Sequence, residues 1–100
     1  MYECINIQKA KSLITEENAL LVDIRDTEDY AVDFDPITFH LTNETLPDFM
    51  ASTPKSRPLI VMCYHGISSK QLAYYLVSEG FEKIYSLDGG YEKWKIDTVK

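Results

Sequence analysis

The chain has 100 residues, of which 45% are hydrophobic and 26% charged, and its formal net charge is −6. This composition excludes a disordered or low-complexity chain and fits one domain with a single core. The negative charge argues against nucleic acid as a partner, because phosphate binding requires clustered Lys and Arg.

Cysteine usage and the absence of targeting signals suggest a compartment. No basic region followed by an apolar stretch stands at the N-terminus, and no segment is long enough to cross a bilayer. Cys4 and Cys63 are the only cysteines, too few for a disulfide framework, which fits a reducing environment. We therefore expect a cytoplasmic domain spanning residues 1–100, with no membrane partner.

The first half of the chain alternates strand and helix patterns. A strand is predicted around Cys4 and Ile5, followed by a helix that Asn6 caps. The near-continuous apolar run 19–24 is typical of a central strand covered on both faces. Asp26 is the predicted cap of a short helix, and a third strand follows Pro36. These two elements are predicted at 27–31 and 37–39.

The second half continues the alternation. Leu46, Phe49 and Met50 have the spacing of one helical face, with Pro47 in the first turn. A buried strand, a helix that ends at Gly80, a further strand and a helix after the Gly89-Gly90 turn complete the chain. The two strands are predicted at 59–62 and 84–87, and the last helix at 91–96.

The alternation predicts an α/β fold, a five-stranded parallel sheet with helices on both faces. Ligands of such folds bind beyond the carboxyl ends of the strands. Cys63 follows one strand, Asp23 and Arg25 flank the end of another, and Asp88 follows the last. We therefore expect these side chains along one edge of the sheet.

The segment 63–70 carries the clearest functional signal. Cys63 ends an apolar strand, and a short polar loop leads from it into a helix. The first amides of a helix lack partners within it and carry partial positive charge, which stabilises an anion or a thiolate. Gly66 permits a backbone that turns successive N–H groups inward. The pattern predicts an activated thiolate, while a cysteine that ends a strand can also be a small core residue.

Three ordered motifs resemble the rhodanese family of thiosulfate sulfurtransferases. Residues 63–70, Cys-Tyr-His-Gly-Ile-Ser-Ser-Lys, resemble its active-site loop. Residues 21–26 resemble its strand that ends in Asp-x-Arg, and residues 87–94 its Gly-Gly-x-x-x-Trp signature. In its short length and in its segment 39–43, the chain resembles the single-domain bacterial members of the family.

The resemblance implies that Cys63 is the catalytic nucleophile. Its thiolate takes the outer sulfur of thiosulfate and releases sulfite, and the persulfide passes sulfur to cyanide or to a dithiol such as thioredoxin. No cofactor beyond this covalent intermediate is expected, and the protein is expected to be a monomer or homodimer. The substrate and persulfide are expected to be bound by the rest of the loop, Tyr64, His65, Gly66, Ile67, Ser68, Ser69 and Lys70.

Side chains near the cysteine have competing interpretations. Lys70 either attracts the thiosulfate dianion or is a solvated surface lysine. Asp23 and Arg25 invite an acid–base role, but a supporting structural ion pair is favoured. His65 is assigned no catalytic role, because sulfur transfer needs no general base once the thiolate exists.

Other candidate residues are assigned to packing. Tyr91 and Trp94 are expected to pack the last helix on the sheet, and Cys4 is expected to be a buried strand residue. Cys63 and His65 lack the further ligands that a zinc site requires, and His40 is too isolated in sequence to supply one. We therefore expect no metal.

The chain departs from the family pattern at two places. A Gly-His pair that many rhodaneses carry before the third strand is replaced by Asp-Phe-Asp at 33–35, and we expect this to alter local structure more than chemistry. Ile67 stands where a polar residue is common, and we expect this difference to bear on substrate preference rather than on the cradling of the sulfur by backbone amides.

Two rival functions share the fold. Cysteine phosphatases carry an arginine six positions after the cysteine, whereas this chain has Ser69, so a phosphate would lose its bidentate partner. A rhodanese-like module that stores sulfur, or a persulfide carrier for a biosynthetic pathway, would keep the same loop. The sequence does not distinguish a sulfur carrier from a thiosulfate sulfurtransferase.

Overall fold

A computed structural model describes residues 1–66 and 68–98 of the chain. Ile67, for which an influence on substrate preference is predicted, lies outside the described residues. No helix in the described part has the length and apolar character needed to cross a membrane. In chain order the elements are β1 Tyr2–Ile5, α1 Ile7–Glu17, β2 Leu20–Asp23, α2 Thr27–Val32, β3 Phe39–His40, α3 Leu46–Ser52, β4 Leu59–Met62, α4 Ser69–Ser78, β5 Ile84–Leu87 and α5 Gly90–Thr98.

The strands form one parallel sheet in the order β1-β5-β4-β2-β3. The predicted α/β architecture, a five-stranded parallel sheet with helices on both faces, is confirmed. β4 lies at the centre, and all four of its residues are buried. This burial explains its continuous apolar run, because a central parallel strand is covered on both faces.

Successive side chains of β4 enter two separate cores. Ile60 and Met62 pack against α1 and α5, whereas Leu59 and Val61 face α3 and α4. Alternate side chains of a strand point to opposite faces of the sheet, which produces this division. The helices contribute the buried residues Ala10, Leu13, Tyr91 and Trp94 to the first core and Phe49, Ala73 and Leu76 to the second.

Several element boundaries follow directly from local sequence signals. The Asn6 side chain accepts a hydrogen bond of 2.9 Å from the Lys9 amide, as the predicted cap of α1. Asn18 ends this helix in the left-handed conformation, at φ 57°. β4 and β5 have the predicted bounds, and Pro47 lies in the first turn of α3.

Three local predictions are wrong. Asp26 precedes α2, but its side chain makes no capping hydrogen bond. The third strand is Phe39–His40 rather than 37–39, because Asp35 holds Ile37 and Thr38 in a turn through hydrogen bonds of 3.1 and 3.0 Å. Cys4 is exposed rather than buried, because it lies on the edge strand β1.

Candidate active site

Three loops meet at the carboxyl edge of the sheet around the end of β4. The strand order places the loop after β2 on one side of Cys63 and the Gly89-Gly90 turn after β5 on the other. The Ile24 amide donates to the Met62 carbonyl at 2.9 Å, and the Tyr91 amide donates to the Cys63 carbonyl at 2.7 Å. The predicted meeting of strand ends is therefore found at Cys63.

Hydrogen-bond donors converge on the Cys63 sulfur. The side chain is 5% exposed, and Sγ accepts a hydrogen bond of 3.0 Å from the Gly66 amide. Burial opposes ionisation, but the Ser69 hydroxyl and the amides of Ser69, Gly66 and His65 donate to the sulfur and lower the pKa of Cys63 below its usual range. The site therefore favours a thiolate.

Backbone hydrogen bonds from the last helix, α5, hold the loop in this conformation. The amides of Tyr91 and Glu92 donate to the carbonyls of Cys63 and Tyr64 at 2.7 and 3.1 Å. These carbonyls face α5, while later amides of the loop face the sulfur. A Cβ on Gly90, at φ 58°, would lie 2.5 Å from both carbonyl oxygens, so only glycine allows this approach.

Ser86 is a part of the site that the sequence reasoning missed. Ser69 and Ser86 are fully buried, and their hydroxyl oxygens lie 2.7 Å apart. The Ser69 side chain lowers the pKa of Cys63, and a Ser69 hydroxyl that donates to the thiolate is free to accept a hydrogen bond from Ser86. A lone hydroxyl inside the apolar strand β5 was the only sequence signal of this role.

Asp23 and Arg25 form a buried ion pair. The guanidinium contacts both carboxylate oxygens, at 3.1 Å from Nε and 2.8 Å from Nη2. It also donates to the Asp33 carbonyl at 2.8 Å and lies 3.7 Å from the centre of the Tyr91 ring. The geometry agrees with the favoured structural interpretation, since the Asp23 oxygens face Arg25 and the Arg25 amide rather than the thiol.

The Asp-Phe-Asp segment is tied to α5 by both of its carboxylates. Asp33 pairs with Lys95 at 3.0 Å, which lowers the pKa of Asp33. Burial, followed by the Asp33 charge, raises the pKa of Tyr91. Asp35 accepts a 2.9 Å hydrogen bond from the indole of Trp94, which is otherwise packed in the core as predicted. At this departure from the family pattern, the segment is therefore held by local contacts with α5 and Arg25.

Four other described side chains of the loop are exposed to solvent. Ser68, Lys70 and Tyr64 are exposed, and the exposed His65 ring lies 3.7 Å from Glu92. A cavity of about 160 Å³ opens beside Cys63. Lys70 is not one of the described residues that line this cavity. The lining residues are Ile24, Arg25, Asp26, Asp29, Cys63, Tyr64 and Ser68.

The described residues, 1–66 and 68–98, contain no group of three or more His, Cys, Asp and Glu side chains arranged to hold a metal ion. His40 instead lies 2.8 Å through Nε2 from the Arg25 carbonyl, and its ring stacks on Tyr30 with centroids 4.0 Å apart. His40 therefore holds the loop after β2 in place.

Residues 6–97 match the family described as the rhodanese-like domain. The fold is similar to a rhodanese-like domain protein from Staphylococcus aureus, with 25% identity, a TM-score of 0.78 and coverage of 92% of this chain and 90% of that one. A rhodanese-like domain from Anabaena is 26% identical, with a TM-score of 0.82 and coverage of 98% and 76%.

A third similar structure, from Rhodopseudomonas palustris, is described as a protein of unknown function and "possible tyrosine phosphatase". It is 20% identical, with a TM-score of 0.78, and the match covers 96% of this chain and 81% of that one. At this identity the likeness concerns the fold alone.

Proposed function

The chain belongs to the rhodanese-like domain family, and from this premise we propose that it is a thiosulfate sulfurtransferase in which Cys63 carries the transferred sulfur. The family supports a sulfurtransferase-type enzyme. The observation that carries the proposal is the buried Cys63 thiol before α4, whose sulfur accepts a hydrogen bond of 3.0 Å from the Gly66 amide and whose pKa is lowered by Ser69, Gly66 and His65. Such an array stabilises negative charge on sulfur.

In the first half-reaction, the Cys63 thiolate attacks the outer sulfur of thiosulfate. The new S–S bond forms as the original one breaks, and sulfite leaves with its electron pair. The product is a Cys63 persulfide, whose terminal sulfur carries the negative charge. The amides of His65, Gly66 and Ser69 that hold the thiolate are positioned to stabilise this charge as it develops.

In the second half-reaction, an acceptor nucleophile attacks the terminal sulfur and the Cys63 thiolate leaves. Cyanide gives thiocyanate in this step, and a dithiol such as thioredoxin is the proposed cellular acceptor, in the cytoplasm. Neither half-reaction needs a cofactor or a general base, because the same thiolate is attacking group and leaving group. The exposed His65 accordingly has no assigned catalytic role.

The charges around the cavity oppose the thiosulfate dianion. Asp26 and Asp29 line the opening, and the Arg25 charge is balanced by Asp23. Binding therefore depends on the loop amides. Lys70, in the first turn of α4, contributes attraction from outside the cavity lining.

A phosphatase function is disfavoured by Ser69. In a cysteine phosphatase an arginine side chain at this position binds the phosphate, but Ser69 is buried and bonded to Ser86. A persulfide carrier remains the second candidate, because it needs the same hydrogen-bonding groups around Cys63.

We expect thiosulfate to add one sulfur atom to the intact protein, measured by mass spectrometry. Cys63→Ser abolishes the addition, whereas Cys4→Ser retains it, because Cys4 lies on the edge strand β1. An unchanged mass of the wild-type protein would overturn the proposal.

The same samples separate the rival functions. Thiocyanate formed from cyanide supports the enzyme, and a persulfide that cyanide does not discharge supports a carrier. Release of phosphate from an aryl phosphate, without sulfur on Cys63, would indicate a phosphatase.

A further inference from the structure

A second, larger depression adjoins the cavity at Cys63. Its volume is about 610 Å³, and it shares Ile24, Arg25, Asp26 and Ser68 with the smaller cavity. The small cavity, about 160 Å³, is suited to a few atoms of a donor such as thiosulfate. The larger depression, which we call the acceptor groove, therefore leads to the sulfur without being needed for a donor of that size.

Three elements form the acceptor groove. They are the loop after β2, the segment between β3 and α3, and the part of α4 that contains Gln71, Leu72 and Tyr75. The apolar side chains that line it include Ile24, Leu41, Leu46, Leu72 and Tyr75. Thr27, Thr42, Asn43 and Gln71 add polar groups between them.

The fixed charges of the acceptor groove are negative. Asp26 and Glu44 line the groove from different segments and are exposed. The Arg25 guanidinium is bound to the buried Asp23 carboxylate, so its charge does not offset them. The net charge of −6 adds a long-range field of the same sign. A cationic partner is attracted to this surface, and an anionic partner is repelled.

Exposed aromatic rings lie along the path to the sulfur. Tyr75 lines the acceptor groove and is 40% exposed, and Tyr64 lines the Cys63 cavity and is 45% exposed. Tyrosines that stand in solvent are typical of the contact surfaces of proteins. The groove is open to solvent between its walls, so a partner that continues beyond it can cover both rings.

We propose that the acceptor groove docks the second substrate, an acceptor protein that presents its thiol on a segment rich in basic residues. This inference rests on the proposed function, because it requires a persulfide on Cys63. The acceptor thiolate attacks the terminal sulfur of the persulfide, the S–S bond breaks, and its electron pair returns to the Cys63 sulfur. The acceptor leaves as a persulfide, and no oxidant or reductant is consumed.

The test uses two blocked peptides of equal length, each with one cysteine, flanked by lysines in one and by glutamates in the other. The protein is first loaded with thiosulfate, and sulfur on Cys63 is verified by mass. The kcat/KM of sulfur transfer is then measured for each peptide. Each value is divided by the rate of the same peptide with a neutral dipyridyl disulfide, which corrects for thiol reactivity.

We expect the lysine peptide to exceed the glutamate peptide by about tenfold at low salt, and the ratio to fall as ionic strength rises. Glu44→Gln lowers the ratio severalfold. Its matched control is Glu79→Gln, an exposed glutamate at the end of α4 outside the groove lining, which leaves the ratio unchanged.

A pair of adjacent tyrosines tests the apolar contacts. Tyr75→Ala lowers transfer to the lysine peptide severalfold more than transfer to cyanide. Tyr74→Ala changes neither rate, because Tyr74 is 70% exposed and does not line the groove.

Equal normalised rates for the two peptides, or a ratio that survives Glu44→Gln, would overturn the inference. So would faster transfer to a small neutral thiol such as mercaptoethanol than to the lysine peptide, which would assign the groove to a small molecule. Failure of the proposed function is distinct, because it shows as absence of sulfur on Cys63 before any peptide is added.

Discussion

At the scale of single residues, the Cys63 thiol depends on a chain of hydroxyl groups as well as on amides. The Ser86 and Ser69 hydroxyls are hydrogen-bonded to each other, and the Ser69 side chain lowers the pKa of Cys63. The link between the two hydroxyls is 2.7 Å long and fully buried, so water does not replace it. Ser86 therefore acts on the thiolate through Ser69, as a positioning residue.

Replacement of Ser86 with alanine is expected to raise the pKa of Cys63, because Ser69 loses the hydrogen-bond partner that orients its hydroxyl. The thiolate predominates above the pKa, so the rise moves the pH profile of iodoacetamide alkylation to higher pH. Loss of one hydrogen bond, about 1 kcal/mol, predicts an alkylation rate that is about fivefold lower at pH values below the pKa. At high pH the rate matches wild type.

Ser78→Ala is the control for this measurement, since the Ser78 hydroxyl is exposed and bonded only to its own helix, at the Tyr75 carbonyl. A profile of Ser86→Ala that coincides with that of Ser78→Ala would contradict the relay.

The charge of Asp29 acts on substrate binding. Because Asp29 lines the Cys63 cavity, Asp29→Asn is expected to lower the KM for thiosulfate by about two- to fivefold at low salt, an effect that salt screening reduces. Steady-state thiocyanate formation over a range of ionic strengths measures it. Glu28→Gln, on the same helix but outside the cavity lining, leaves KM unchanged. Identical KM values for both variants would show that the dianion does not approach past Asp29.

At the scale of elements, the active-site loop is shaped by a helix that contributes no side chain to the sulfur. The first amides of α5 bind two carbonyls of the loop, and Gly90 allows the backbones to touch. The first amides of a helix have no hydrogen-bond acceptor within it, and here the carbonyls of the loop accept from them. The Gly-Gly turn therefore helps to hold the loop at Cys63.

Two glycine variants separate this packing role from backbone strain. Gly90→Ala places a Cβ 2.5 Å from two carbonyl oxygens, so we expect a Tm lower by several degrees and loss of sulfur loading on Cys63. Gly80→Ala meets the same left-handed backbone, at φ 99°, but no atom lies within 4 Å of the new Cβ.

Gly80→Ala is thus expected to cost about 1–2 kcal/mol of stability and to retain full loading. Thermal unfolding and intact mass after thiosulfate treatment report both effects. Full loading of Gly90→Ala at a temperature where it is folded would contradict the role assigned to the α5 contact.

At the scale of the whole molecule, Arg25 connects parts of the chain that are distant in sequence. It binds the end of β2 through Asp23, the 33–35 segment through a carbonyl, and α5 through the Tyr91 ring. Arg25 itself lines the Cys63 cavity. Removal of the guanidinium leaves a carboxylate with 0% exposure and no opposite charge.

Arg25→Met is therefore expected to lower the free energy of unfolding by about 3–5 kcal/mol, the cost of breaking a buried pair. The added change Asp23→Asn recovers part of this loss, because no buried charge remains. Lys11→Met breaks the exposed pair with Asp97 and costs less than about 1 kcal/mol. Urea unfolding compares the three variants, and equal losses for Arg25→Met and Lys11→Met would refute the assigned role.

Local patterns in the sequence were enough for the fold class. The apolar run of β4, the Asn6 cap and the glycine turns each report on a few neighbouring residues, and their alternation implies a parallel sheet. The same logic placed Cys63 at the end of a strand and before a helix. A short-range pattern carries this information because helix caps, turns and the apolar periodicity of a strand each involve only a few neighbouring residues.

Contacts between distant segments were decided only by the tertiary structure. Ser86 reaches Ser69 because β5 lies beside β4, and Cys4 is exposed because β1 lies at the edge of the sheet. Both contacts with the surroundings depend on the strand order, which no local pattern specifies. The acceptor groove likewise forms where three separate elements meet. The sequence alone determined where the reactive sulfur lies along the chain, and packing determined what surrounds it, because those neighbours are brought together by folding.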